Sequence, residues 1–192
     1  MDDFDALDRS RAELDRRLAA IGANQWDLPT PCSQWTVRGL VQHCVGGAKM
    51  VVLLLGGISQ ADLMAELGTY RLAEEPTAAL AEFAAAADAS RAAFHEPGAL
   101  ERTCHHPVGD IPGAQLLRFR VGDMTLHAWD LARAIGADEH LDPDLAEDVY
   151  ISMSPMAPFI ATTGFFGAGP SGDVGPDAPA QQRLLDLSGR RP

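Results

Sequence analysis

The stretch GDMTLHAWDLARAIG, residues 122–136, decides how this chain is interpreted. It closes a longer segment, from Pro112 or Gly113 to Ile135, in which apolar residues recur at helical spacing. Such spacing is typical of an amphipathic helix, and the glycine at the end of the stretch is a common C-terminal stop. The segment therefore predicts a long helix, the last of four in the chain.

Three other segments show the same periodicity. They are residues 3–21, residues 37–56 after the N-capping Thr36, and an alanine-rich stretch from Pro76 to Phe94. Shorter helices are predicted at 59–67, 143–153 and 181–187, and residues 101–113 suit a small β-hairpin. Together these elements predict an all-α protein: a four-helix bundle with a possible small β-hairpin before the fourth long helix, and extra C-terminal helices.

The composition predicts a single globular domain over residues 1–192. Of the 192 residues, 46% are hydrophobic and 22% are charged, and an irregular Gly/Pro-rich segment lies at about 164–180. The 27 acidic residues outnumber the 15 basic ones, which gives a formal charge of −12. This balance argues against a nucleic-acid partner, because affinity for a phosphate backbone needs a basic surface.

The sequence also predicts no membrane span and no secretory signal. The longest uncharged apolar run, Met50–Ile58, is far shorter than the roughly 20 residues that cross a bilayer. The first ten residues are acidic, where a signal peptide would be basic and then apolar. A cytoplasmic location is the expectation. Cys32, Cys44 and Cys104 lack CxxC spacing and are expected to be reduced thiols.

The run NQWDLPTPCSQW, residues 24–35, connects the first two long helices. The run contains too much proline for a helix and too many aromatic residues for a flexible linker, so an ordered loop is predicted. Trp26, Trp35 and Trp129 are interpreted as core or rim residues, with a pocket wall as the alternative for Trp35.

A divalent-metal site is the chemistry that these helices could carry. Asp123 and His127 stand four residues apart, so their side chains share one face of the fourth long helix. His43 lies on a mostly apolar face of the second helix, which must turn toward the core. Imidazole and carboxylate are the usual nitrogen and oxygen ligands of zinc and its neighbours, and three protein ligands leave a position open.

Each candidate also has a purely structural explanation. A core histidine such as His43 can bond to a carbonyl, and Asp123 can satisfy its charge through His127 without a metal. Asp130 is a candidate to orient a ligand or to act as a base, although Arg133 offers it an ordinary surface ion pair. Composition and spacing therefore leave metal binding and structural pairing both open.

Three strings in the chain resemble one known family. They are WDLPTPCSQWTVRGLVQHCVGG at 26–47, GDMTLHAWDLARAIG, and the tail DAPAQQRLLDLSGRRP at 177–192. They are similar to actinobacterial metal-binding proteins related to the N-terminal domain of mycothiol-dependent maleylpyruvate isomerase, within the DinB/YfiT-like superfamily of four-helix bundles. The resemblance extends over nearly the whole chain.

The resemblance implies a divalent metal, zinc or nickel, held by a histidine on the second helix and an acid-x3-histidine pair on a later one. Carried over by position, those ligands are His43, Asp123 and His127. The chain departs from the isomerase in two ways: Asp stands where the isomerase has Glu, and the isomerase's additional C-terminal domain has no counterpart here. Both departures bear on whether the isomerase activity itself is retained.

Relatives of this kind often activate a low-molecular-weight thiol such as mycothiol, which a metal would deprotonate. The resulting hypothesis is a metal-dependent thiol S-transferase or isomerase-like enzyme that acts on a small electrophile. No catalytic side chain is assigned beyond Asp130. The alternatives are a metal-dependent hydrolase that uses bound water and a non-catalytic bundle that binds a metal or ligand. A homodimer is expected from the resemblance.

Overall fold

Helices form most of the protein, with one small hairpin between the third and fourth long helices. The computed structural model describes residues 1–163 and 169–191. The elements are α1 (Asp3–Leu18), α2 (Val37–Leu55), α3 (Gln60–Thr69), α4 (Pro76–Phe94), β1 (Thr103–His106), β2 (Gly109–Pro112), α5 (Gly113–Ile135), α6 (Pro143–Met153), α7 (Ala157–Thr163) and α8 (Ala180–Leu187). The predicted all-α fold with a β-hairpin and C-terminal helices is confirmed.

The four long helices pack as a closed ring. Helix α1 packs against α5, α5 against α2, α2 against α4, and α4 against α1. Each helix turns an apolar stripe inward, and the large side chains at the centre are fully buried. They include Leu14, Leu40, Leu54, Phe83 and Leu116. The four-helix bundle predicted from periodicity is therefore present, and α2 and α5 are neighbours in it.

Helix α1 ends three residues before the apolar pattern does. The sequence predicts a helix to Ile21, whereas the structure ends it at Leu18. The amide of Ile21 bonds to the carbonyl of Leu18, and that of Ala20 bonds to Arg17. These i to i−3 bonds tighten the last turn. The side chain of Ile21 therefore still packs against the core, although the α-helical hydrogen bonding has ended.

The loop between α1 and α2 is ordered, as predicted. Residues Pro29 and Thr36 form an isolated antiparallel bridge. Within it, the amide of Thr30 donates to the carbonyl of Trp35 at 3.2 Å, and the Thr30 hydroxyl donates to the same carbonyl at 2.9 Å. The loop thereby fixes Trp35 beside the first turn of α2, which Thr36 caps.

One helix of the described residues, α2, is long and apolar enough to cross a membrane by length and composition. Its buried side chains lie in the bundle core, against α4 and α5. A core helix passes the same test, and this packing accounts for its apolar character.

The C-terminal part adds a second layer. Helices α6 and α8 pack against each other, and α6 packs on α5. Residues 169–179 contain no helix or strand, which agrees with the predicted irregular segment. The remainder of that prediction, residues 164–168, lies outside the described residues.

Candidate metal centre

Helices α2 and α5 bring two imidazoles to one carboxylate oxygen. The Nε2 atom of His43 lies 3.0 Å from Oδ1 of Asp123, and the Nε2 atom of His127 lies 3.2 Å from the same oxygen. One donor atom from each residue lies within 4.8 Å of the others. The three side chains named from the sequence therefore converge, across two helices, on one point.

The hydrogen bonding of His127 leaves a place for either a proton or a metal ion at this point. Its Nδ1 atom lies 2.9 Å from Oδ2 of Asp130, a carboxylate that can only accept, so Nδ1 carries a proton. A neutral His127 would then direct the lone pair of Nε2 at the Asp123 oxygen. Either a proton or a metal ion must separate these two acceptors.

The donor set fits a divalent metal on chemical grounds. Two ligands on one tetrahedral zinc ion lie on the order of 3.3 Å apart, because each bond is about 2.0–2.1 Å long. The separations of 3.0 and 3.2 Å between the imidazole nitrogens and Oδ1 of Asp123 are close to this value. The Asp130–His127 contact is the carboxylate–histidine pair that commonly orients a metal-bound imidazole.

Asp130 is buried and does not pair with Arg133. Its side chain is 0% exposed, and Arg133 instead contacts Glu139 at 2.8 Å. The surface ion pair weighed from the sequence is therefore wrong, because Asp130 faces the interior, where Arg190 and the thiol of Cys32 contact it. Arg190 donates to both carboxylate oxygens of Asp130, at 2.8 and 2.6 Å.

Arg120 holds the other oxygen of Asp123. Its Nη1 atom donates to Oδ2 of Asp123 at 2.6 Å, and its Nη2 atom donates to the carbonyl of Cys44 at 2.9 Å. Gly47 gives the guanidinium room, since a Cβ there would lie 2.7 Å from Nη1. Arg120 thus fixes one oxygen of the carboxylate and leaves Oδ1 to the two histidines.

The centre opens toward solvent on the side of His43. The exposed fractions of the His43, Asp123 and His127 side chains are 36%, 27% and 9%. The ring of Trp35 stacks on His43 with centroids 4.4 Å apart and tilts toward His127 at 5.8 Å. His43 therefore lies at the rim of the core, where sequence analysis placed it inside, and Trp35 forms a wall of the centre.

The local charges shift the pKa values of the central groups. Burial alone would lower the pKa of His127, but the charge of Asp123 and the bonds to both carboxylates raise it well above its ordinary value. Burial alone would raise the pKa of Asp123, yet the two imidazoles hold it well below the usual range. Arg190 and His127 likewise lower the pKa of Asp130 against the effect of burial.

Three functional side chains were missed from the sequence: Arg120, Arg190 and Cys32. The Cys32 thiol lies 3.4 Å from Oδ2 of Asp130, so it borders the centre from the ordered loop. The spacing of Arg120 to Asp123, three residues on one helix, was an available signal. Arg190 and Cys32 lie 60 and 98 residues from Asp130, and no local pattern relates them to it.

Fold and site together define a helical-bundle protein with a His–Asp–His centre between two neighbouring helices. Residues 7–132 match the family described as the mycothiol maleylpyruvate isomerase N-terminal domain. The chain belongs to this family, as the resemblance implies.

The chain is also similar to two curated proteins and to two solved structures. Two uncharacterised proteins of Mycobacterium tuberculosis, from strains CDC 1551 / Oshkosh and ATCC 25618 / H37Rv, are each 35% identical over 151 residues, which is 76% of this chain and 74% of theirs. The crystal structure of the mycothiol-dependent maleylpyruvate isomerase matches with a TM-score of 0.61 and 17% identity, over 84% of this chain and 70% of that one. A histidine-to-alanine mutant of that enzyme matches with a TM-score of 0.61 and 16% identity, over 88% and 74%. These structural matches establish the shared fold.

Proposed function

We propose that this protein is a metal-dependent thiol S-transferase or isomerase-like enzyme that acts on a small electrophile. His43, Asp123 and His127 hold the metal, zinc or nickel, and a low-molecular-weight thiol of the mycothiol type is the co-substrate. The observation that carries the proposal is the approach of two imidazole Nε2 atoms to one oxygen of Asp123.

The surrounding residues support a bound cation without filling the centre. Arg120 occupies only Oδ2 of Asp123, and Asp130 occupies only Nδ1 of His127. The atoms facing the opening, Oδ1 of Asp123 and the two Nε2 atoms, contact one another, and a metal would replace those contacts with coordination bonds. Three protein ligands leave room for one exogenous ligand.

A bound divalent cation would supply a thiolate at neutral pH, because coordination deprotonates a thiol. The chain's own residues restrict where the thiol can enter. His43 and Asp123 are partly exposed, whereas His127 is nearly covered, so the thiol approaches from the His43 side. The Trp35 ring borders that entrance and can pack against an apolar part of a substrate.

The assignment of a thiol co-substrate is supported by family membership and by the fold shared with a mycothiol-dependent isomerase. The acidic chain, with a formal charge of −12, favours a small molecule over nucleic acid as the partner.

Metal analysis of purified protein tests the ligand assignment. We expect about one equivalent of metal in the wild type and a large loss in His43→Ala and His127→Ala. The matched control is His105→Ala, since His105 is an exposed histidine that contacts its own carboxylate, Asp110, at 2.8 Å. Equal metal content in all four preparations would show that the assignment is wrong.

A turnover assay separates the possible activities. With maleylpyruvate and mycothiol as probes, we expect metal-loaded protein to consume the electrophile only when the thiol is present. Turnover of test esters or amides without thiol would instead favour a hydrolase that uses metal-bound water. Tight metal binding without turnover on any tested electrophile would favour a non-catalytic binding protein.

A further inference from the structure

We propose that Arg190, near the C-terminus, is a positioning residue of the metal centre: it holds Asp130 in the one orientation that aims His127 at the metal. This inference rests on the proposed metal binding by His43, Asp123 and His127.

The contact between Arg190 and Asp130 is bidentate and buried. Nε of Arg190 donates to Oδ1 at 2.8 Å, and Nη2 donates to Oδ2 at 2.6 Å. The exposed fractions of the two side chains are 11% and 0%. A guanidinium fork on a carboxylate fixes direction as well as charge, so Asp130 cannot rotate without breaking both bonds.

The chain reaches this position through the end of α8. The amide of Gly189 donates to the carbonyl of Asp186 at 2.9 Å, and the amide of Arg190 donates to that of Leu185 at 2.8 Å. Gly189 has a φ of +74°. This is the Schellman arrangement, in which a left-handed glycine reverses the chain after a helix. The reversal directs the side chain of Arg190 back toward α5.

Asp130 transmits this orientation to His127. Its Oδ2 atom accepts from both Nη2 of Arg190 and Nδ1 of His127, the latter at 2.9 Å. The bond to Nδ1 sets the plane of the imidazole and directs Nε2 at Asp123. The thiol of Cys32 lies 3.4 Å from Oδ2 of Asp130, in addition to the bonds from Arg190 and His127.

Arg190 lies outside residues 7–132, the segment that defines the family match. The ligands and Asp130 lie inside that segment. The tail after α8 therefore completes a centre whose ligands all come from the bundle, and it does so without supplying a ligand itself.

The test uses the full chain and compares three variants. In Arg190→Ala the fork is removed, and in Arg190→Lys the charge is kept without the fork. Arg191→Ala is the matched control, because the neighbouring Arg191 bonds to Asp186 at 3.1 Å and to the carbonyl of Gly169 at 2.8 Å, on the other side of the tail. For each protein we measure the Zn²⁺ dissociation constant by competition with a chromophoric chelator.

We expect Arg190→Ala to weaken Zn²⁺ binding about 10- to 100-fold, which is the usual effect of losing a partner of a ligand. Arg190→Lys should give an intermediate value, and Arg191→Ala should stay within about twofold of the wild type. The second readout is the Nδ1 proton of His127 in metal-free protein, followed by NMR. It should exchange slowly in the wild type and in Arg191→Ala, and rapidly in Arg190→Ala.

An unchanged or tighter Zn²⁺ constant in Arg190→Ala would overturn the inference. So would weaker binding with an unchanged His127 proton, because the effect would then not pass through Asp130. If the wild type binds no Zn²⁺, the proposed function fails, and the NMR comparison still decides whether Arg190 positions His127. If Arg190→Ala does not fold, the Zn²⁺ dissociation constant and the exchange of the His127 proton are both measured on Arg190→Lys.

Discussion

The Nε2 atom of His127 lies 3.2 Å from Oδ1 of Asp123, one turn earlier on the same face of α5. Half of the centre is thus built by the local geometry of one helix, and His43 on α2 completes it. Because the Nδ1 atom of His127 is committed to Asp130, a proton and the proposed metal ion would compete for the same space.

This competition predicts pH-dependent metal binding. A ligand imidazole must lose its proton before it coordinates, so affinity for Zn²⁺ should rise with pH, about tenfold per unit for each proton displaced. Calorimetric titrations in two buffers with different ionisation enthalpies would count the protons released. An affinity that stays constant between about pH 6 and 8 would contradict this prediction.

Gly47 and Gly46 provide a matched test of how Arg120 is accommodated. A Cβ at Gly47 would lie 2.7 Å from Nη1 of Arg120, whereas one at Gly46 meets nothing within 4 Å. Arg120 cannot move freely, because it bonds to both Asp123 and the Cys44 carbonyl. We expect Gly47→Ala to lower the free energy of unfolding by about 1–3 kcal/mol, and Gly46→Ala to raise it by about 0.5–1 kcal/mol.

Urea unfolding of the metal-free proteins measures both changes. Both glycines lie in α2, so replacing either one with alanine brings the same gain in helix propensity. A difference between the two variants therefore measures the effect of the contact with Arg120. Equal stabilities for the two variants would show that Arg120 moves aside without cost.

The three free cysteines should differ sharply in reactivity. Burial raises the pKa of Cys44 to about 11, and burial also raises that of Cys104. Cys32 is only partly buried, in the loop beside the centre. We expect a disulfide reagent to modify one thiol rapidly in the native protein and all three after unfolding. Cys32→Ser should remove the rapid phase, and its persistence would assign the reactive thiol elsewhere.

Asp142 predicts a specific dependence of stability on pH. It caps α6 by accepting from the amides of Asp144 and Leu145 at 2.9 and 3.1 Å, and it accepts from Arg9 at 3.1 Å. Burial would raise the pKa of Asp142, but these bonds hold it below its usual value. The stabilisation is therefore complete above the unfolded-state pKa, near 4, and is lost as the pH falls through the lower folded-state pKa.

Asp142→Asn keeps a capping side chain and removes the charge. Its free energy of unfolding should be lower than that of the wild type by about 0.5–1 kcal/mol at neutral pH, with the difference vanishing in acid. Asp27→Asn, in the exposed part of the first loop, is the control and should show little change. A difference that persists at low pH would assign the effect to the shape of the cap.

The local features of the fold were predictable from the sequence. The period of the apolar residues predicted α5 with the bounds that the structure shows, and the four-residue spacing placed Asp123 and His127 together. The apolar stripe on α2 directed His43 toward them. The stripe did not show that His43 lies at the rim, because helical spacing gives a direction and not the depth of packing.

The partners of Asp130 depend on tertiary structure. Sequence proximity suggested Arg133, three residues away, whereas the fold supplies Arg190, 60 residues away. That choice follows from the packing of α8 on α6 and the reversal at Gly189. A pattern along a single helix contains neither, so this part of the centre could be found only from the structure.

The stacking of Trp35 on His43 gives the centre an optical signal of its own. Trp26 and Trp129 are 4% and 1% exposed in the core, so their fluorescence should form a steady background. When the His43 ring binds a metal, the indole in contact with it meets a new charge, and its emission should change. Occupancy of the centre can thus be followed in unlabelled protein, in real time, from the light that one tryptophan emits.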